Sequence, residues 1–215
     1  MSEFDGKHSA NRVRHMRTLV LRRGDHIGDP LGLIFLEDPE TVSDPVIEKL
    51  REYFGPRVGV LQAEITRDAI TVKVESRGWR EESNRLAAAA SDLHEKGARR
   101  NALEMYREAL AIDPLNGEAM LGLGMALARG DKFSEALAAL KRAREFFGKD
   151  NVEVLLAMAR CAARLQRTAT AIDYLETANE VDPRNFLVRR ALRALGREPA
   201  RATPTSTAAA KTGDR

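Results

Sequence analysis

The sequence repeats one pattern of small and large apolar residues three times between residues 83 and 183. The three segments start at Ser83, Gly117 and Val152, 34 and then 35 residues apart. Each contains two stretches of about a dozen residues whose apolar positions recur at the spacing of an amphipathic helix. Three columns of equivalent positions stand out: Ala102, Ala136 and Ala171; Ala109, Ala143 and Ala178; Tyr106, Leu140 and Leu175. The sequence therefore predicts three stacked helix pairs.

Small residues on facing helices let two backbones approach, and a large residue between them fills the remaining space. One pair cannot bury its apolar face alone, so neighbouring pairs must stack. Asp113-Pro114 and Asp182-Pro183 end the first and third segments, where proline blocks further helix, and Gly148 ends the second. This combination of spacing, small-residue columns and terminal proline resembles the tetratricopeptide repeat family over about half of the chain.

The resemblance implies a concave groove lined by the first helix of each repeat, and a role as a protein-interaction scaffold or adaptor. The positions on that face are Asn84, Ala87, Ser91 and His94 in the first repeat, Glu118, Leu121, Met125 and Ala128 in the second, and Glu153, Leu156, Arg160, Ala163 and Arg164 in the third. Family members that bind the C-terminal carboxylate of heat-shock chaperones use a clamp of Lys, Asn and Arg in this groove. Of the residues at those positions here, only Arg160 has suitable chemistry, so we do not expect a chaperone cofactor.

An apolar groove with a flexible methionine and flanking arginines favours an amphipathic helix or an extended segment with acidic flanks as the partner. The alternative is that Leu121, Met125 and Leu156 pack against the N-terminal region or the last helix, since apolar patches serve either purpose.

A further helix is expected over Asn185–Leu195, because its apolar residues share one side and arginines occupy another. It would cap the array, so that the array with its cap spans residues 83–197, and residues 198–215 would be disordered. Between Arg184 and Arg215 there are eight basic and two acidic side chains, although the net charge of the whole chain is only +3. A second hypothesis is therefore that this end associates with nucleic acid or an anionic surface, although we regard nucleic acid as a less favoured partner.

The region before the repeats has the pattern of a small α+β domain over residues 17–77, after a flexible segment 1–16. Short apolar runs predict strands at Thr18–Leu21 and Leu33–Leu36. Asp44–Phe54 reads as a helix with proline in its first turn. Val58–Ile65 and Ile70–Val74 read as a hairpin, and the strand Ile70–Glu75, if it is an edge, offers backbone groups for self-association or partner binding.

Nothing in the sequence indicates catalysis, a cofactor or a metal site. The histidines His8, His15, His26 and His94 lack the paired spacing of metal ligands, and we expect loop histidines to be exposed. Cys161 stands beside a core column, which predicts a buried apolar role. A single cysteine, the absence of an apolar leader in residues 1–10 and the lack of a long apolar run favour a cytoplasmic protein, bacterial in its Arg/Ala-rich style.

Overall fold

The computed structural model describes residues 15–26, 29–37 and 42–197. The N-terminal elements are β1 (His15–Arg22), a 3-10 turn (Arg23–His26), α1 (Pro30–Glu37), α2 (Asp44–Phe54), β2 (Val58–Ile65) and β3 (Ala69–Ser76). Seven helices follow: α3 (Arg80–Glu95), α4 (Arg99–Ile112), α5 (Gly117–Arg129), α6 (Phe133–Phe147), α7 (Val152–Arg164), α8 (Thr168–Val181) and α9 (Phe186–Ala194). The chain therefore combines a small α+β unit with a helical array.

The three strands form an antiparallel sheet in the order β1-β3-β2. Alternate residues of each strand face α1 and α2, as the period of two requires. The resulting core contains fully buried residues from β1, α1, α2 and β3: Leu19, Leu21, Leu31, Ile34, Leu50, Ile70, Val72 and Val74. The helix over Asp44–Phe54 and the hairpin are confirmed.

Two predictions for this unit are wrong. The run Leu33–Leu36 is part of helix α1 and not a strand. Asp29 decides this, because its Oδ1 accepts hydrogen bonds from the backbone N–H groups of Leu31 (3.0 Å) and Gly32 (3.1 Å) at the start of the helix. The strand Ile70–Glu75 is not an edge, because β3 pairs with β1 on one side and β2 on the other. It therefore offers no free backbone groups to a partner.

The ends of the chain are only partly described. Strand β1 begins at His15, so the last two residues of the segment predicted to be flexible belong to the sheet. The rest of that segment, and the tail 198–215, lie outside the described residues.

The three predicted helix pairs are confirmed as α3/α4, α5/α6 and α7/α8. All six alanines of the two small-residue columns are fully buried. A Cβ placed at Gly122 would lie 2.3 Å from the ring of Tyr106, so only glycine allows the first and second repeats to come this close. The predicted last helix is present as α9, where Asn185 caps the N-terminus and Val188 and Leu192 are buried.

The turns inside the repeats each place one residue in the left-handed region. Gly97 serves in the first repeat, with φ of 79°, whereas Asp131 and Gln166 adopt φ of 59° and 61° in the second and third. Glycine is therefore not required there, although a residue with a Cβ adopts this conformation at some cost.

The α+β unit is tied to the array at the end of the first repeat. Ser76 Oγ donates a hydrogen bond to Asp113 Oδ1 at 2.6 Å, and both residues are buried. Gly78 passes against the end of α4, where an added Cβ would lie 1.9 Å from the carbonyl oxygen of Ile112. Leu115, from the turn between the first two repeats, is part of the core of the α+β unit.

A buried ionic cluster makes a second connection, between the 3-10 turn and α6. His26 is 1% exposed, with Nδ1 2.8 Å from Asp29 Oδ2 and Nε2 3.2 Å from Glu145 Oε1. Tyr53 donates a hydrogen bond to Glu145 Oε1 at 2.9 Å. The expectation that loop histidines are exposed is thus wrong for His26, because two carboxylates, one from a distant helix, enclose it.

The environment of His26 favours its protonated form. Burial alone lowers the pKa of His26, but the hydrogen bonds and charges of Asp29 and Glu145 outweigh burial and raise it to about 9. Burial raises the pKa of Glu145, an effect that His26 and Tyr53 oppose. Nearby, Arg144 Nη1 lies 2.6 Å from Asp25 Oδ1. The α+β unit is therefore held to α6 by buried charges as well as apolar contacts.

The close approach at Gly78 predicts a large effect of a single methyl group. Gly78→Ala should lower the free energy of unfolding by about 2–3 kcal/mol, because the backbone of Ile112 must move to make room. Gly24→Ala is the matched control, since no heavy atom lies within 4 Å of its added Cβ, and it should change stability by less than about 1 kcal/mol. Urea unfolding followed by circular dichroism measures both. Equal stability of the two variants would contradict the packing at this junction.

The raised pKa of His26 predicts a pH-dependent stability with a defined sign. Because the folded-state pKa of about 9 lies above the ordinary value of 6.5, the stabilisation is fully present below pH 6.5 and is lost as the pH rises through 9. This contribution amounts to about 3 kcal/mol. Urea unfolding at pH 6, 7.5 and 9.5 measures the free energy of unfolding of the wild-type protein and of His26→Gln. The excess stability of the wild-type protein should decrease as the pH rises across this window. A constant difference between the two proteins at all three pH values would refute it.

Candidate functional site

A cavity of about 620 Å³ runs between the first helices of the first two repeats, α3 and α5. Of the thirteen positions predicted to face the groove, its lining includes Asn84, Ser91, His94, Glu118, Leu121, Met125 and Glu153. Ala87 lines the same cavity. The fold therefore brings these residues to one surface. We call this cavity the N-terminal compartment.

A second cavity of about 320 Å³ lies between α7 and α9. Leu156 and Arg160 of α7 form one side, and Leu187 and Arg190 of α9 form the other. We call this the C-terminal compartment. Helix α9 thus does more than cover the last repeat, because one of its faces forms a wall beside the first helix of the third repeat.

Arg164 belongs to neither compartment, although it was predicted with the groove. Its guanidinium stacks over the ring of Phe133 at 4.5 Å from the centroid, and its Nη2 lies 3.4 Å from Asp131 Oδ1. The side chain therefore contacts the turn and second helix of the preceding repeat. Arg164 was predicted to face the groove, but it lies outside both compartments.

The apolar floor of the groove is recessed. Leu121 exposes 8% of its surface and Leu156 exposes 9%, and both are part of the main core of the array. Met125 is half-buried and closer to solvent. Leu156 lines the C-terminal compartment together with residues of α9.

Hydrogen bonds fix the end of the N-terminal compartment beside the turn at residues 113–117. Asn116 accepts a hydrogen bond from the backbone N–H of Ala119 at 3.1 Å, which caps α5. Its amide group donates to Ser83 Oγ at 2.8 Å and to Asn84 Oδ1 at 3.0 Å. This network sets the distance between α3 and α5, so the width of the compartment does not depend on apolar packing alone.

The two compartments differ in charge. Acidic residues Glu95, Asp113, Glu118 and Glu153 line the N-terminal compartment, together with the basic residues Arg17, Arg80 and Arg129. The C-terminal compartment contains two arginines and no acid among its lining residues. Burial and the nearby arginines Arg129 and Arg99 lower the pKa of His94, so this histidine adds little positive charge at neutral pH. The groove is therefore mixed in charge at one end and positive at the other.

Several lining residues were not anticipated from the sequence. These are Arg17 of β1, Tyr106, Asn116, Phe146 and Phe147 in the N-terminal compartment, and Leu187 and Arg190 in the C-terminal one. Of these residues, only Leu187 had a signal in the sequence: it is an apolar residue in a short, basic helix that has to bury its apolar side. The remaining residues reach the groove through tertiary packing.

Neither a cluster of metal ligands nor a membrane-spanning helix is present among the residues that the structure describes. No group of three or more His, Cys, Asp or Glu side chains there is arranged to hold a metal ion. Among the same residues, no helix has both the length and the apolar character to cross a bilayer. Cys161 is a free, buried thiol, as its position predicted, and burial raises its pKa.

Comparison with known sequences identifies the repeats. Tetratricopeptide repeat models match residues 93–150 and 152–185. Tetratricopeptide repeat protein 1 of Schizosaccharomyces pombe is 36% identical over 76 residues, which is 35% of this chain and 7% of that protein. The chain thus matches a small part of that relative's length.

Solved structures with the same helical arrangement share little sequence. The first such domain of Spaghetti (RPAP3), bound to an HSP90 peptide, has a TM-score of 0.52 at 20% identity, over 54% of this chain and 92% of that one. The Arabidopsis OM64 domain has a TM-score of 0.52 at 20% identity, over 54% and 96%. MamA (residue 41 to the end) from Desulfovibrio magneticus has a TM-score of 0.51 at 16% identity, over 53% and 64%.

The likeness to the solved structures concerns the fold alone, whereas the family models match defined residues of the helical array. The matched residues include the buried alanine columns and the turns described above. Residues 93–185 are therefore a segment of tetratricopeptide repeats.

Proposed function

We propose that this protein is an interaction scaffold whose concave groove binds a segment of another protein. The fold supports this role, because stacked helix pairs present a continuous surface without an enclosed reaction site. Among the structural neighbours, the Spaghetti domain is bound to an HSP90 peptide. The proposal involves no catalytic step.

The observation that carries the proposal is the C-terminal compartment. It combines an apolar floor with Arg160 and Arg190, one on each wall and both exposed. Leu187 is 48% exposed at its mouth, although it is a large apolar residue. An arginine next to a small apolar patch suits a ligand in which an apolar side chain is followed by a carboxylate, because the patch contacts the side chain and the arginine pairs with the carboxylate.

The partner that fits is an extended segment or an amphipathic helix with an apolar stripe and an acidic end. The acidic end would lie at Arg160 and Arg190, because no carboxylate lines that compartment. The other end would lie near Glu118 and Glu153, where basic or polar residues are favoured. The charge difference between the two compartments thus gives the bound segment a direction.

A chaperone-type carboxylate clamp is not part of the proposal. Ala87, Ser91, Leu121 and Met125 occupy the positions where its lysine and asparagine residues would stand. None of these side chains carries a positive charge.

The nucleic-acid alternative depends on the basic residues of α9 and of the tail that follows it, and the tail 198–215 lies outside the described residues. The arrangement of the described arginines, up to Arg197, does not favour it. Arg190 lines the groove, Arg189 is half-buried, and Arg197 Nε lies 4.0 Å from Glu176 Oε1. Cations that bind a nucleic-acid backbone need a shared surface. This hypothesis, the cytoplasmic location, the bacterial origin, self-association and the division into domains 17–77 and 83–197 remain predictions.

The groove hypothesis is tested with peptides selected on the full-length protein. A random 15-residue peptide library is panned on the wild-type chain, and the affinity of synthetic hits is measured by fluorescence anisotropy. Arg160→Glu combined with Arg190→Glu should weaken hits that carry acidic and apolar residues at least tenfold, because both cations at the acidic end are reversed. Both side chains are exposed, so the fold should survive.

The matched control is Arg57→Glu combined with Arg107→Glu, which makes the same charge change at exposed positions outside both compartments. It should leave these affinities within about twofold, since long-range effects between exposed charges are screened. Circular dichroism and thermal unfolding check that all variants are folded. If the two double variants bind the selected peptides equally well, the groove is not the binding site.

A further inference from the structure

A third cavity lies between the α+β unit and the array, apart from the two compartments of the groove. It has a volume of about 440 Å³, within the range of sites that enclose a ligand. Thr18, Val20 and Arg22 of β1 form one wall, and Phe147 and Lys149 at the end of α6 belong to the other. Because Thr18, Val20 and Arg22 alternate along the strand, they belong to the face of the sheet that α1 and α2 leave open. We call this cavity the interdomain cleft.

The cleft has an excess of positive charge. Arg22 and Lys149 are exposed and form no hydrogen bond or salt bridge with any residue in the described ranges. Lys141 adds a third cation, close enough to Asp29 to help lower the pKa of that carboxyl, after its hydrogen bond to His26. The other charged groups largely cancel, since Arg144 pairs with Asp25 and His26 with Glu145.

The cleft also exposes apolar surface that nothing in the described chain covers. Val20 is 47% exposed, although strand residues of this type usually pack against a neighbour. Phe146 and Phe147 are only half-buried and line the cleft beside it. Arg22, Lys141 and Lys149 thus surround an apolar patch, which is a different arrangement from a solvated basic surface.

We propose that the interdomain cleft is a second docking site, which binds an acidic segment of a protein partner through one apolar side chain and its neighbouring carboxylates. The apolar side chain contacts Val20 and the phenylalanine rings, and the carboxylates pair with Arg22, Lys141 and Lys149. Charge complementarity selects this occupant, because Arg22 and Lys149 form no salt bridge with any residue in the described ranges, and Lys141, which interacts with Asp29, adds positive charge to the same lining.

A protein segment fits better than a nucleic acid. A nucleic-acid strand carries a charge at every phosphate and follows a continuous basic track. Here Asp25 lies among the cations and an apolar patch separates them. Carboxylates spaced on either side of an apolar residue match this alternation. The site is separate from the positive end of the groove, since neither Arg160 nor Arg190 lines it.

The test isolates the cleft from the groove. A random 15-residue peptide library is panned on the full chain that carries Arg160→Glu and Arg190→Glu, so that peptides requiring the positive end of the groove are not selected. Synthetic hits are then measured on the wild-type protein. We expect hits rich in Asp and Glu around Leu or Phe, with affinity at least tenfold lower for Arg22→Glu combined with Lys149→Glu.

Two controls give the result its meaning. The charge-preserving pair Arg22→Lys and Lys149→Arg should retain binding within about threefold, and Arg57→Glu with Arg107→Glu should have no effect beyond about twofold. Binding by the wild-type protein should weaken as salt increases, because the contacts are ionic. Hits that bind the Arg22→Glu and Lys149→Glu protein unchanged would overturn the proposal. So would a dT20 oligonucleotide that binds the cleft while no acidic peptide does.

Discussion

Close approach between neighbouring helices is the constraint on which the rest of this structure depends. It requires small residues at a few fixed places, and the chain supplies alanine in two buried columns and glycine at Gly122. Because the ring of Tyr106 lies directly against Gly122, a side chain there would separate the first repeat from the second. The separation of α3 and α5 in turn sets the width of the N-terminal compartment. Interior packing therefore determines the shape of the functional surface.

The sequence was sufficient where a long periodic pattern determined the structure. The helix pairs, the cap helix and the hairpin all follow from spacing and from turn residues within the segment itself. It was insufficient where a single side-chain contact, local or distant in sequence, decided the outcome. Leu33–Leu36 is short and apolar enough for either a strand or a helix, and one carboxylate, Asp29, settles it by capping. His26 looks like a loop histidine until α6 brings Glu145 to it.

The candidate site shows the same division. The residues of α3, α5 and α7 that face the groove were inferred from the family resemblance and by counting along each helix, and most of them line the two compartments. Arg164 was misplaced because it lies at the end of its helix, where the preceding repeat offers an aromatic ring and a carboxylate. Arg17, Leu187 and Arg190 were missed because their contribution depends on how the α+β unit and α9 pack on the array. Periodicity identifies the face of a helix but not what stands opposite it.

Phe146 and Phe147 line both the N-terminal compartment and the interdomain cleft. A ligand that displaces these rings on one side changes the volume available on the other. Binding at one site therefore changes the binding free energy at the second. By thermodynamic linkage the coupling is reciprocal: whatever factor one occupant imposes on the affinity of the second, the second imposes on the first. In a scaffold with such a shared wall, the affinity for one partner depends on whether the other is bound. The coupling is positive if both partners require the same positions of the two rings, and negative if they do not.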